Sequence, residues 1–338
     1  MLIAMNNMEE RVLAKNAKRN QEYYCPYCRG EVILRHGVKV IPHFAHKVKS
    51  NSPCYKAETY NHYQLKMLLA QKFAALNCHV DIEPFIKSIK QYPDLVINQS
   101  NAIEIQCSTI SSAEIIERTL GLESIGLKVF WLINDVKIRG RLIELTQFQT
   151  TFINPIQRTL ITWNFSESNL IVYTHIQNIA GKKFICKRQP ISPNELFNTY
   201  KSKQVRVYKL SKRTINNYIL QCRRKNSVLE PTLSAMYQLK MNDSKVCIST
   251  GFIFLNQIYI ETHPVEWQLK YLLLRRKYDS HQSCELLLPI IKFRYFAYYN
   301  YNKLTILREL VNDFEKMYYS RCLSVQNESQ NEKIELLI

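Results

Sequence analysis

Cys25, Cys28, His43 and His46 form two ligand pairs, Cys-x2-Cys and His-x2-His, with fourteen residues between them. A Cys-x2-Cys turn offers two thiolates to one cation, and two imidazoles complete the tetrahedron that Zn2+ prefers. The spacing predicts a structural Zn2+. Cys54 can replace either histidine, because His43 and His46 are closer than the usual pair on a finger helix. A second set is acidic. Pro93-Asp94 opens one strand, and Glu104-Ile105-Gln106 lies on the next, beyond the turn signal Asn98-Gln99-Ser100-Asn101. Side chains alternate along a strand, so Glu104 and Gln106 share one face while Ile103, Ile105 and Cys107 take the other. Carboxylates at the ends of adjacent strands suit Mg2+, a hard cation that takes a few protein oxygens and keeps waters for a substrate phosphate.

The elements that must hold these groups follow from periodicity. Tyr60, Tyr63, Leu65, Leu68, Leu69, Phe73 and Leu76 recur at helical spacing and predict a helix from Lys56 to Leu76. Glu58, His62 and Lys66 lie four residues apart on one face of it. Strands are expected at Val80–Ile86, Asp94–Ile97 and Ala102–Ile110. A helix then starts from Ser111 or Ser112 and stops near Gly126, and the apolar run Val129–Ile133 is a strand. The order is helix, three strands, helix, strand. Before it, Tyr23 to Ile41 predicts a small knuckle followed by two short strands. After residue 150, strands are expected over Thr159–Phe165, Leu170–Ile176 and Phe252–Ile260. Helical patterns occur over Thr214–Lys225, Trp267–Tyr278 and Leu304–Tyr319.

The chain has 338 residues, 46% of them hydrophobic, and a net charge of +18. Such an excess points to a polyanionic partner. It is unevenly placed: residues 1–56 carry +6, residues 57–150 carry −1 and residues 151–338 carry +13. Four segments are therefore expected: a zinc-finger-like unit over 1–56, a metal-carboxylate unit over 57–150, a basic mixed α/β region over 151–322, and a tail over 323–338. The start lacks the basic flank and long apolar run of a secretory signal, and no stretch reaches the length of a membrane span, so a cytoplasmic location is expected. Ten cysteines in a reducing compartment read as ligands or small buried hydrophobes rather than disulfides. No glycine-rich phosphate loop is present, which disfavours a P-loop motor.

Within this pattern, residues 57–134 resemble the restriction-endonuclease-like core of the PD-(D/E)xK nuclease superfamily, and the chain more narrowly resembles the CoiA family of competence proteins. The residues that carry the likeness are Tyr-Cys25-Pro-Tyr-Cys28, Ile-Pro-His43-Phe-Ala-His46, Glu58, His62 and Lys66, Tyr-Pro93-Asp94 and Ile-Glu104-Ile-Gln106-Cys-Ser. Further on come Glu117-Arg118-Thr, Gly126-Leu-Lys-Val-Phe-Trp131-Leu and His263-Pro-Val-Glu-Trp267-Gln. The resemblance implies an α/β architecture: a zinc knuckle, an αβββαβ nuclease-like core and a mixed C-terminal region. It also implies a role in natural transformation, in which incoming single-stranded DNA is processed for homologous recombination. Asp94 and Glu104 fall on the superfamily's metal-binding carboxylates, Glu58 is the candidate third acid, and Gln106 stands where many members have lysine. An amide there positions water but brings no positive charge, and Lys66 is the candidate to restore it.

Two functions follow from these residues. One is a Mg2+-dependent deoxyribonuclease acting on single-stranded or branched DNA. The other is a non-catalytic DNA-binding recombination accessory with a degenerate nuclease core, working beside a recombinase and single-strand-binding proteins. Candidate phosphate contacts for the second are Arg223, Arg224 and Lys225 and Arg275, Arg276 and Lys277, with Lys182-Lys183 and Lys187-Arg188 as further basic clusters among the tyrosines.

Overall fold

The computed structural model describes residues 3–26, 28–37, 40–47, 60–200, 207–298, 300–324 and 335–337. It is a mixed α/β chain in two compact units, the first made of residues 1–109 and 121–132 and the second of 110–120 and 133–338. The charge segments and these units divide the chain differently.

The first unit opens with a five-stranded antiparallel sheet: β1 (Ile3–Met5), β2 (Arg11–Leu13), β3 (Tyr23–Tyr24), β4 (Glu31–Gly37) and β5 (Val40–His46), in the order β2-β1-β3-β4-β5. Ala4, Ala14, Tyr23, Cys25, Val32 and Phe44 form its core. Next along the chain come α1 (Tyr60–Ala75), β6 (Val80–Ile82), β7 (Leu95–Ile97), β8 (Asn101–Gln106), α2 (Ser112–Ser124) and β9 (Lys128–Asn134), with residues 112–120 of α2 and the last two of β9 counted in the second unit. This is the helix, three-strand, helix, strand order that the sequence predicts, and the four strands lie in the order β9-β8-β7-β6.

Local chemistry sets the register. Asn98 and Gln99 both take left-handed backbone angles, φ +51° and +54°, and Ser100 N donates to Ile97 O. The resulting loop pairs Leu95 with Ile103 across β7 and β8. Asparagine tolerates this conformation better than most residues, and the Asn98 side chain also accepts a bond from His79 N. The expected strand to Ile86 stops at Ile82, because Glu83 turns left-handed, at φ +47°, and Pro84 follows. The third expected strand ends at Gln106, where the Gln106 side chain bonds the Ser108 carbonyl. Every residue of β8 after Asn101 is buried, so both faces are covered.

The second unit contains β10 (Ile138–Arg139), β11 (Leu142–Glu144), α3 (Gln147–Thr151), β12 (Leu160–Asn164), β13 (Asn169–Ala180) and β14 (Lys183–Ile191), in the order β10-β11-β14-β13-β12. Its remaining elements are β15 (Tyr208–Leu210), α4 (Lys212–Arg224), α5 (Pro231–Leu239), α6 (Asp243–Ser249), β16 (Phe252–Ile253), α7 (Pro264–Leu274), α8 (Ser280–Leu287), α9 (Lys303–Ser324) and β17 (Glu335–Leu337). Ile215, Ile219, Ala235, Leu239, Val246, Val265 and Leu269 join α4 to α7 in one apolar core. The strand expected over Phe252–Ile260 is instead a two-residue strand followed by a 3-10 turn over Leu255–Tyr259. Carbonyls freed by that turn are taken by buried guanidiniums: Arg158 bonds Leu255 O, and Arg294 bonds the carbonyls of Ile258 and Ile260. Among the described residues no helix is long and apolar enough to cross a membrane.

Candidate functional site

Three acidic residues form one row in the first unit. Ile82 pairs with Leu95 and Leu95 with Ile103. One residue further, the same antiparallel registers set Glu83 beside Asp94 and Asp94 beside Glu104. Directly opposed residues of an antiparallel pair point to the same face, with Cβ atoms about 4.5–5.5 Å apart. Glu83 N donates to Asp94 O at 3.0 Å, which confirms the alignment of the first pair. The guanidinium of Arg11 holds the Glu83 carbonyl.

Helix α1 brings Lys66 and His62 to this row. Lys66 Nζ lies 2.5 Å from Glu83 Oε1 and 3.3 Å from Asp94 Oδ1, and His62 Nε2 lies 3.1 Å from Asp94 Oδ2. The Ile105 backbone N–H donates to that same Asp94 Oδ2 at 2.8 Å. Lys66 and Glu104 are each 1% exposed, against 6% for Glu83 and 7% for Asp94 and Gln106. Water therefore does little to screen these charges. Gln106 points its amide nitrogen at Ser108 O, 2.5 Å away, so its donor is bound to its own chain.

Among the described residues the row gathers three carboxylates, Glu83, Asp94 and Glu104, beside the ammonium of Lys66. Glu83 Oε2 is buried and has no hydrogen-bond partner. A buried, unpartnered anionic oxygen is costly unless a cation or donor reaches it. Both features fit a divalent cation, and Asp94, Glu104 and Glu83 are the residues that can hold one. Their oxygens are not already gathered as a ligand set: the only trio of His, Cys, Asp or Glu donor atoms within 4.8 Å of one another, among the described residues, is elsewhere. Lys66 bridges two of the three acids instead.

That trio is Cys25, Cys28 and His46, and it can bind a metal. Cys25 O accepts from Arg29 N at 2.9 Å and Cys25 N donates to Gly30 O at 2.8 Å, which closes a tight knuckle after β3. Arg29 is left-handed in it, at φ +58°. A Cβ on Gly30 would stand 3.4 Å from Cys28 Sγ and 3.7 Å from the His46 ring, so the missing side chain gives the ligands room. Cys28 Sγ and His46 Nε2 are 3.2 Å apart. His43 is not in the group. It pairs with Arg35 while His46 pairs with Val32, and residues three apart on a regular strand face opposite ways. Cys54 and Glu58 lie outside the described residues.

The knuckle and the acidic row each fall within a family match. The model for the N-terminal domain of competence protein CoiA matches residues 5–55, and that for its nuclease-like domain matches residues 58–204. The chain belongs to the CoiA family. Competence protein CoiA of Bacillus subtilis (strain 168) is 27% identical over 168 residues, which is 47% of this chain and 44% of that protein. The chain thus spans less than half the length of this curated relative. No solved structure matches.

The structure of this CoiA-family chain also shows what its C-terminal basic clusters touch. Arg223 forms a two-armed pair with Asp243, at 2.6 and 2.9 Å, and Lys225 pairs with Glu230 at 3.3 Å. Arg275 bonds Glu315 and the Tyr278 carbonyl, and Arg276 bonds the last carbonyls of α5, at Gln238 and Leu239. These clusters sit at or just past the ends of α4 and α7, where cations offset the negative end of a helix. Four of the six candidate phosphate contacts thus have partners within the fold, and all six except the half-buried Arg275 are exposed. His263 caps α7 by accepting from Val265 N and stacks on Tyr218 at 3.5 Å. Burial lowers its pKa to about 3, so the ring is neutral.

Glu83 is the site residue that the sequence reading missed. Its signal is weak in one dimension, because the expected strand ran through it to Ile86. It becomes legible once the Leu95–Ile82 pairing is known.

Proposed function

We propose that the chain is a DNA-processing factor of natural transformation that prepares incoming single-stranded DNA for homologous recombination in the cytoplasm. Its nuclease-like domain hydrolyses phosphodiester bonds with Mg2+ held by Asp94 and Glu104. One observation carries this reading: Lys66 delivers an ammonium from α1 to the carboxylate row, at 3.3 Å from Asp94, where Gln106 can supply no charge. A bound divalent cation would add Lewis acidity and lower the pKa of a coordinated water. The chain's own groups do the rest. The Ile105 amide and His62 fix the orientation of Asp94. Glu83 fixes Lys66, whose positive charge stabilises negative charge growing on phosphate oxygens. Cys25, Cys28 and His46 hold a structural Zn2+ that stiffens the N-terminal sheet.

The test is cleavage of labelled single-stranded, branched and duplex DNA in Mg2+ or Mn2+. Cleavage by the wild type that disappears in the Asp94→Ala/Glu104→Ala variant supports the proposal, and cleavage that survives in that variant refutes it. A second reading, a DNA-binding accessory with a degenerate core, is favoured by the absence of a preformed three-acid ligand set among the described residues. Wild-type protein that binds DNA, contacts a recombinase or single-strand-binding protein and cleaves nothing is the outcome that selects it.

A further inference from the structure

The edge of the sheet in the second unit carries exposed cations that form no ion pair among the described residues. Lys137, Arg139 and Arg141 lie on and around the β10–β11 hairpin, and Lys182, Lys183 and Lys187 on β14 and the turn before it. All six are exposed, and none makes an ion pair. Register gathers Lys137, Arg139, Lys183 and Lys187 on one face, and Arg141 and Lys182 lie in the turns beside it. Arg139 pairs with Leu142 and Leu142 with Ile185, so these three share a row and a face. Two residues along, Lys137, Glu144 and Lys183 form the next row on that face, because Glu144 pairs with Lys183. Lys187, two residues past Ile185, continues the face. Glu144 is the one carboxylate among these strand residues. Strand spacing and rise put neighbouring cations of this set about 7–10 Å apart, within reach of each other's phosphate when the side chains extend.

Charge on an edge strand also protects a sheet from pairing with another copy. That accounts for Arg139 on β10 and Lys137 just before it, at the end of the strand order. It does not account for Lys182, Lys183 and Lys187, because β14 is an interior strand between β11 and β13. The helix-end clusters show the contrast: there most cations have carboxylate or carbonyl partners in the fold.

We propose that this edge, Lys137, Arg139, Arg141, Lys182, Lys183 and Lys187, is a docking surface for the sugar–phosphate backbone of DNA. The proposal rests on the reading that DNA is the substrate. All six residues lie within the stretch matched by the nuclease-like domain. With no aromatic side chain among them, the contact is to phosphates and independent of base sequence.

The test compares wild type with an Arg139→Gln/Arg141→Gln/Lys182→Gln/Lys187→Gln variant in fluorescence-anisotropy titrations of labelled single-stranded and duplex oligonucleotides, over a range of salt. A charge-matched control carries Lys212→Gln, Arg213→Gln, Lys245→Gln and Lys316→Gln, all exposed positions of the same unit. Each lost phosphate contact lowers the salt slope by roughly 0.7 on a single strand, so four lost contacts weaken binding roughly six hundredfold at 0.1 M salt. The control stays within about threefold. Equal affinity and slope in wild type and patch variant overturn the surface while leaving DNA as the substrate. A wild type that binds no DNA overturns the substrate reading and the surface with it. Anionic vesicles of phosphatidylglycerol and phosphatidylcholine form the remaining arm. Vesicle binding lost in the patch variant, with DNA binding unchanged, assigns the patch to a lipid surface and overturns the proposal.

Discussion

Lys66→Met removes the ammonium at the centre of the acidic row with little change of volume. In the wild type that ammonium lies 2.5 Å from Glu83 Oε1 and 3.3 Å from Asp94 Oδ1, with Lys66 only 1% exposed. Asp94 keeps the Ile105 amide and His62 after the substitution. Glu83 keeps a buried carboxylate whose other oxygen, Oε2, has no hydrogen-bond partner. Breaking a buried ion pair from one side costs about 3–5 kcal/mol, because the remaining charge is uncompensated. Converting Glu83 to Gln in the same chain removes that charge, so the double variant recovers about 2–3 kcal/mol and the cycle shows a coupling of that size. Local opening of β7 and β8 reads this out. Deuterium uptake over residues 95–106 accelerates on the order of 10²–10³-fold in Lys66→Met at neutral pH, and by much less in the double variant. An acceleration below about tenfold, or a double variant no better than the single, refutes the buried pairing of Lys66 with Glu83.

Two further outcomes follow from particular residues. His263 has its pKa lowered to about 3 by burial, whereas an unfolded chain titrates it near 6.5. The unfolded state therefore binds the extra proton first, and stability present above pH 6.5 is lost as pH falls, by about 3 kcal/mol at pH 4. His263→Asn, which can still cap α7, flattens the fall in urea midpoint between pH 7 and pH 4, and an unchanged profile contradicts the assignment. At the knuckle, atomic emission finds about one zinc per wild-type chain and close to none in Cys28→Ser. His43→Ala keeps its zinc, and loss of metal in that variant contradicts the placement of His43 on the opposite face of β5.

Much of the nuclease-like unit was legible because its signals are local. The periodic apolar residues from Tyr60 mark α1, the Asn98–Asn101 stretch marks the β7–β8 loop, and alternation around Glu104 puts it on the face of β8 that Asp94 shares. The parts that were not legible depend on pairing across the chain. Glu83 reaches the site through its register with Asp94, and a left-handed glutamate before Pro84 has no signature in hydrophobic spacing. His43 and His46 look equivalent as letters, yet an odd spacing on a strand separates them. The ion-pair partners of the helix-end arginines are not legible in sequence, because Asp243 and Glu315, which hold Arg223 and Arg275, lie twenty and forty residues away. Helices α5, α6 and α8 were not expected because nine residues or fewer give too little periodicity. Their caps at Glu230, Asn242 and Asp279 define them instead.

Asp94 and Glu104 are proposed to hold a divalent cation for phosphodiester chemistry. Titration of zinc-loaded protein with Mn2+, followed by electron paramagnetic resonance, tests this most directly. One bound Mn2+ is expected in the wild type and none in the folded Asp94→Asn/Glu104→Gln variant. Identical binding isotherms for the two proteins would contradict it.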